Sequence, residues 1–357
     1  MAYRMILIGT GGQGRHWCQT FLPPNIREGL VEVVGAVDIN ADALQNARTF
    51  LGLRPDQCYS DAGRALDENR ADFCAIVTPP AFHEEMVDVA LAHDMHILSE
   101  KPIADTLVAS VRVESKVLSA GKKMGVTMSH RFDQDKTTLR HHVKSGMYGP
   151  LDYLVCRVTC DNRQFGSWGE YRHRMRDPLL IEAAGHRLDI LADLAGSPCK
   201  TFYARTWCPS WGEYAGDCQA LGILEFENGV RAVYESAKAN AVGLSGPGRE
   251  YIRAECQGAT LVLNNRKLER FVYRSNQRNR QEMEGEGEDI ALLERPKWSN
   301  AWLIDKFVHW LDTGEPMETN ISDNVQAVAM TWAGIKSSRL GQPILVQELL
   351  AEAREQI

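Results

Sequence analysis

The feature that most constrains this chain is a glycine-rich turn set between an apolar run and a helix-forming stretch. MILIG at 5–9 leads into Gly9-Thr10-Gly11-Gly12-Gln13-Gly14, a G-x-G-x-x-G spacing in the strand–turn–helix context that gives it meaning. Gly9 allows the tight turn, Gly11 lets the backbone approach a pyrophosphate, and Gly14 allows close helix–strand packing. Gly12 and Gln13 open the helix, whose N-terminal N–H groups suit phosphate. A second β-branched run, VEVVGAVD at 31–38, ends in Asp38, where a carboxylate can accept both ribose hydroxyls of an adenosine. The charge of Asp38 repels a 2′-phosphate, and Ile39-Asn40 offers no arginine to bind one. NAD is therefore expected in preference to NADP.

CAIVTPP at 74–80 and HILSE at 96–100 continue the alternation, separated by a helical pattern around Phe82 to His93. Strands alternating with helices predict a parallel, doubly wound sheet over residues 1–127, with ligands at the carboxyl ends of its strands. After Val126 the pattern changes to a turn and an amphipathic helix (HRFDQDKTTLRHHVKSGMYGPL) and then to longer alternating strands: 151–162, 221–237, 251–264 and 268–275. Asn228-Gly229 between two alternating runs is a hairpin signal. Residues 128–357 are expected to form an α+β domain on a mainly antiparallel open sheet, with QRNRQEMEGEGEDI (277–290) as a mobile loop.

The chain of 357 residues, 44% apolar and 24% charged, is long enough for two cores. Its net charge of −7 comes from interspersed signs, which argues against a nucleic-acid partner. No apolar segment approaches the roughly 20 residues of a spanning helix, and the N-terminus runs into the glycine turn without a cleavage site, so a cytoplasmic setting is expected. The odd total of nine cysteines does not resemble a disulfide framework, and Cys156 and Cys160 have no partner pair at zinc-site spacing. The thiols read as small apolar residues, and no metal site is expected.

One helix of the second domain carries titratable groups at regular spacing. In DPLLIEAAGHRLDILADLAG, Asp177 suits an N-cap, Pro178 the first helical position and Gly196 the stop. Glu182, His186, Asp189 and Asp193 share one face, which on spacing alone reads as the wet side, while Leu180, Leu188 and Leu191 form the other. Glu100-Lys101-Pro102, at the end of the fourth apolar run, reads equally well as a solvated turn or as a turn that points Lys101 into a reaction site.

Taken together, G-T-G-G-Q-G near the N-terminus, V-T-P-P-A-F-H at 77–83, E-K-P at 100–102, H-R-F at 130–132 and E-x-x-x-H-x-x-D at 182–189 resemble the Gfo/Idh/MocA oxidoreductases, which include glucose–fructose oxidoreductase and inositol dehydrogenases. The resemblance implies that Lys101 reaches the nicotinamide end of the cofactor and contacts the reacting hydroxyl, across a Lys101–Pro102 bond that is often cis. It implies that His186 accepts the proton and that Glu182 stands where the family usually has Asp. By the same resemblance Thr78, Pro79, His83, Glu100 and Arg131 fall in the cofactor-binding motifs. Substrates would be sugars, polyols or cyclitols. Arg163, Trp168 and Tyr171, just before the helix, are candidates for recognising hydroxyls, and the open sheet would pack against another subunit in a homodimer or homotetramer. Two readings compete: an NADPH-dependent reductase of the same fold, and a non-catalytic relative that senses dinucleotide or sugar.

Overall fold

A computed structural model of the chain describes residues 2–273 and 287–357. The chain forms two compact units, and neither is one continuous stretch: residues 1–132, 296–328 and 352–357 make the first, and 133–295 with 329–351 the second. Residues 277–286 of the expected mobile loop lie outside the described residues.

The first unit is built on six parallel strands in the order β3-β2-β1-β4-β5-β6. These are β1 (Tyr3–Ile8), β2 (Val31–Val37), β3 (Cys58–Tyr59), β4 (Phe73–Ile76), β5 (His96–Ser99) and β6 (Met124–Val126). Strand order reverses between β1 and β4, which opens the crevice where such sheets bind ligands. Met5, Leu7, Phe73, Ala75 and Leu98 lie at the centre of the core, all 0% exposed. Near-continuous apolar strands are what a sheet covered on both faces requires.

Beyond the expected boundary after residue 127, part of the C-terminal region, residues 296–328 and 352–357, packs with the first unit. Helix Ser299–Thr313 buries Leu303, Ile304, Phe307 and Val308 in the same core as Phe73, Leu98 and Trp17. Gly125 in β6 is shaped for this return, because a Cβ there would overlap the Met317 sulfur and come within 3.2 Å of the Phe307 ring. The covering helix thus belongs to the parallel sheet and is unavailable to the antiparallel one.

Among the described residues the second unit carries nine strands in the order β14-β13-β12-β11-β7-β10-β9-β8-β15. They are β7 (Leu151–Thr159), β8 (Cys199–Trp207), β9 (Gln219–Phe226), β10 (Arg231–Ala237), β11 (Tyr251–Cys256), β12 (Ala259–Asn264), β13 (Lys267–Val272), β14 (Glu288–Asp289) and β15 (Ile344–Leu345). Among these described strands only β7 and β10 pair in parallel. The Asn228-Gly229 turn joins β9 to β10 as expected, with Gly229 at φ 88°. Helices at 134–144 and 179–195 pack on one face, over Leu154, Cys156, Leu224 and Tyr234. On the opposite face Leu221, Ile223 and Val233 are 51%, 60% and 42% exposed in this chain.

The helix at 179–195 differs from its expected form in three ways. Its first part, Leu179–Ala184, is π-helical, and only Gly185–Ala195 is α-helical before Gly196 ends it at φ 66°. Asp177 does not cap it: the carboxylate accepts from Arg339 Nη2 at 2.5 Å, while the Asp177 carbonyl accepts from Ile181 N at 3.1 Å. Nor is its charged stripe a wet face. Asp189 is 5% exposed, and Asp193 is held by Arg140 and Lys144 at 2.7 Å each. Even the intervening Arg187 is buried on Glu250 (2.7 Å), which also pairs with the buried Lys136 at 3.1 Å. Burial would deprotonate Lys136, but Glu250, Asp133 and Asp135 outweigh it and raise its pKa.

Candidate functional site

In the first unit the glycine loop is packed and tied by specific contacts. A Cβ at Gly9 (φ 98°) would sit 2.5 Å from the Val77 carbonyl oxygen, and one at Gly14 would overlap the Gly9 carbonyl. Only glycine allows that turn and that approach of helix to strand. Asp38, at the end of β2, accepts from Thr10 N (2.8 Å) and Gly11 N (3.0 Å) through Oδ2, and from Asn40 N (2.9 Å) through Oδ1. The acid expected to meet a ribose is thus tied to the loop by its own hydrogen bonds. Gly12, at φ 45°, faces open space, with nothing within 4 Å of where its Cβ would be.

The neighbouring strand ends are locked to each other. His83 is fully buried, with Nδ1 2.8 Å from the Pro102 carbonyl and Nε2 2.8 Å from the Thr78 carbonyl. Burial lowers its pKa, although the two carbonyls pull the other way. His83 is thus a clamp between the 77–83 turn and E-K-P, with both ring nitrogens committed to backbone. Glu100 is likewise internal: its Oε1 accepts from Trp17 Nε1 (2.8 Å), Asn300 Nδ2 (3.0 Å) and Gln13 Nε2 (3.5 Å). These contacts hold the start of E-K-P, leaving Lys101 half-buried beside a cis Lys101–Pro102 bond. Pro79 starts the turn Pro80–Phe82. Arg131 is 5% exposed and donates at 2.7 Å to Asp323, at the start of helix Ile321–Leu340.

In the second unit Glu182 is the centre of a second cluster. Its Oε2 accepts from Tyr171 OH and from Arg172 Nε, each at 3.0 Å. Arg172 also donates to the Trp168 carbonyl at 2.9 Å, and its guanidinium lies 4.5 Å from the Tyr171 ring and 5.2 Å from the Trp168 ring. Burial and the Glu182 charge push the Tyr171 phenol up to about 12, so it remains a donor at neutral pH. Glu182 belongs to the π-helical segment and His186 to the first turn of the α-helical part, a register change often found at functional sites. Trp168, Tyr171 and Glu182 are brought together around Arg172. Arg163 is not among them: it binds Asp161 Oδ1 at 3.0 Å and the Asn240 carbonyl, tying the ends of two strands.

Sequence reasoning missed four residues here. Trp17 and Asn300 hold Glu100, and the second is 200 positions away, beyond any local signal. Arg172 lay inside the segment singled out, and its position ten residues before Glu182 was the available clue. Lys238 is 2% exposed, 4.2 Å from the Trp168 ring and 3.8 Å from Cys160 Sγ. Burial drives its pKa down.

Comparison with known proteins agrees with this architecture. Residues 3–129 match the model described as oxidoreductase family, NAD-binding Rossmann fold, and residues 140–346 match the oxidoreductase family C-terminal alpha/beta domain. The chain is 51% identical over 357 residues to the uncharacterized protein y4oX of Sinorhizobium fredii, covering 99% of this chain and 98% of that one. It is 31% identical over 183 residues to an inositol 2-dehydrogenase/D-chiro-inositol 3-dehydrogenase of Lacticaseibacillus casei, about half of each chain (51% and 51%). An Agrobacterium radiobacter oxidoreductase solved with NAD+, L-tartaric acid and magnesium has the same fold, with a TM-score of 0.84 at 19% identity, covering 98% of this chain and 100% of that one. The Rossmann sheet with its glycine loop and E-K-P falls in the first matched region and the Glu-His helix in the second, and the chain belongs to the Gfo/Idh/MocA oxidoreductase family.

Proposed function

We propose that the protein is an NAD-dependent dehydrogenase that oxidises a secondary hydroxyl of a sugar, polyol or cyclitol. The observation that carries the cofactor half is Asp38, a carboxylate at the end of β2 bound to the N–H groups of Thr10 and Gly11. Its negative charge opposes a 2′-phosphate. The loop fits a dinucleotide, since Gly9 and Gly14 leave the backbone close-packed and Gly12 faces open space. Gly11, Gly12 and Gln13 would hold the pyrophosphate, and Thr78, Pro79 and Lys101 would line the path to the nicotinamide end.

Bound NAD supplies the hydride acceptor. The chain supplies the proton chemistry. His186 takes the hydroxyl proton as general base. Lys101 places positive charge beside the oxygen as it becomes alkoxide-like. Glu182, held by Tyr171 and Arg172, stands one turn before His186. Trp168 and Tyr171 offer ring surface and a hydroxyl for a polyhydroxylated substrate.

The same reading extends to assembly. The apolar strip of Leu221, Ile223 and Val233, flanked on the same sheet face by the Arg157–Glu235 pair (2.7 Å), suits a second copy of this chain, giving a homodimer or homotetramer. The decisive experiment incubates purified protein with NAD or NADP and a panel of sugars, cyclitols and sugar acids, following absorbance of reduced cofactor. Calorimetry with both nucleotides accompanies it. Tighter NADP binding would overturn the cofactor assignment, and silence across the panel with intact NAD binding would favour the sensing reading. A monomer mass by light scattering at micromolar concentration would remove the assembly.

A further inference from the structure

Cys208 and Cys218 lie outside every role assigned above, yet their sulfurs are 3.5 Å apart. Strand pairing explains the approach. β8 and β9 run antiparallel with Trp207 opposite Gln219, so Cys208 and Cys218 are the next facing positions beyond the ladder's end. Directly opposed residues of an antiparallel pair have Cα atoms about 4.5–5.5 Å apart, within the span a disulfide accepts. Gly212 covers the pair. A Cβ on it would come 3.0 Å from one sulfur and 3.4 Å from the other, so glycine leaves the two sulfurs room to move. The two thiols also differ in access, because Cys218 is fully buried and Cys208 is only partly so.

The loop they bracket, residues 209–217, grips the segment that holds Glu182. Glu213 N donates to the Arg163 carbonyl (2.8 Å) and its carboxylate accepts from Phe165 N (2.6 Å). Tyr214 stacks on His173 with ring centres 3.9 Å apart, and Asp217 N donates to the Arg176 carbonyl at 3.1 Å. Between these anchor points lie Tyr171 and Arg172, the two donors to Glu182.

We propose that Cys208 and Cys218 form a reversible dithiol–disulfide site, oxidised by peroxide, that ties the base of the 209–217 loop. Cys208, the more accessible thiol, attacks the peroxide O–O bond as thiolate and becomes a sulfenic acid with release of water. The Cys218 sulfur then attacks the Cys208 sulfur, the S–S bond forms and a second water leaves. One hydrogen peroxide and two thiols thus give one disulfide and two waters, and an external dithiol reverses the change. Burial and the Cys208 contact keep Cys218 protonated in the resting state, which assigns it the resolving step.

The test treats the folded full-length protein with hydrogen peroxide and follows intact mass, alkylation by iodoacetamide and peptide mapping. The expected product is lighter by two hydrogens, protects both thiols from alkylation, maps to a Cys208–Cys218 cross-link and reverts with dithiothreitol. Cys208→Ser and Cys218→Ser variants should each lose this product, with the wild-type peptide map keeping the result interpretable if either variant folds poorly. Two results overturn the proposal: both thiols remaining alkylatable, or over-oxidised without a cross-link, after treatment; or the two-hydrogen loss persisting in Cys208→Ser, which would assign it to other cysteines.

Discussion

The two units put their chemistry in place by different physical means. In the first, the candidate groups sit at the ends of parallel strands, where a local motif fixes backbone direction: Gly9 follows β1, Asp38 follows β2, Thr78 follows β4 and Glu100-Lys101 follows β5. In the second, Glu182 is held by side chains from a separate segment and lies on a helix whose π-helical start no spacing rule anticipates. Strand ends are read from sequence because the two-residue period and the turn chemistry are local. A carboxylate's partners across a loop are a tertiary matter.

The largest test of this contrast is a pair of substitutions. His186→Ala should lower kcat by roughly 10²- to 10⁴-fold and remove the limb of the pH–rate profile that rises through its titration. Lys101→Ala should cost about 10²-fold with the profile's shape retained. Steady-state kinetics across pH, with NAD binding checked by calorimetry, separates the two. A Lys101→Ala enzyme with near-normal turnover would return E-K-P to a surface turn.

Stability provides the second test, aimed at the claim that the first unit is not a continuous stretch. Phe307 is 0% exposed and stacks edge-on to Phe73 at 5.2 Å, so Phe307→Ala should destabilise that unit by about 3–5 kcal/mol. Denaturant unfolding followed with and without NAD reads this directly. A loss below about 1 kcal/mol would mean that the nucleotide-binding core is complete without its C-terminal helix.

A smaller effect belongs to Arg172. Arg172→Lys keeps the charge but loses the planar guanidinium that meets Glu182, Trp168 and Tyr171, so about tenfold should be lost in kcat/KM. Unchanged kinetics would show that the second cluster does not support His186.

The smallest lies on the outer helices of the first unit. Arg112 and Lys116 hold the Glu84 carboxyl down at about 2, against an ordinary 4.5. A folded pKa below the unfolded one stabilises the protein above pH 4.5, and this contribution is lost as pH falls from 4.5 towards 2. Because these groups are partly solvated, the contribution is at most about 1 kcal/mol. Glu84→Gln should flatten that part of the acid-denaturation curve, and an unchanged curve would assign acid sensitivity elsewhere.

Much of the molecule was legible in the sequence. The glycine loop with Asp38, the alternation of the first 130 residues and the Asn228-Gly229 hairpin each follow from short-range stereochemistry, and each stands as expected in the fold. The Glu182–His186 spacing was visible as well. What the sequence could not assign was burial. The stripe through Asp189 and Asp193 has the spacing of a solvated face, and only distant residues such as Arg140 and Lys144 turn it inward. The same holds for Helix Ser299–Thr313, whose apolar face would suit either sheet until Gly125 and Phe73 select the parallel one. Periodicity states that a face is apolar or charged. Which surface meets it is decided by packing between segments hundreds of residues apart, and that information exists only in the tertiary structure.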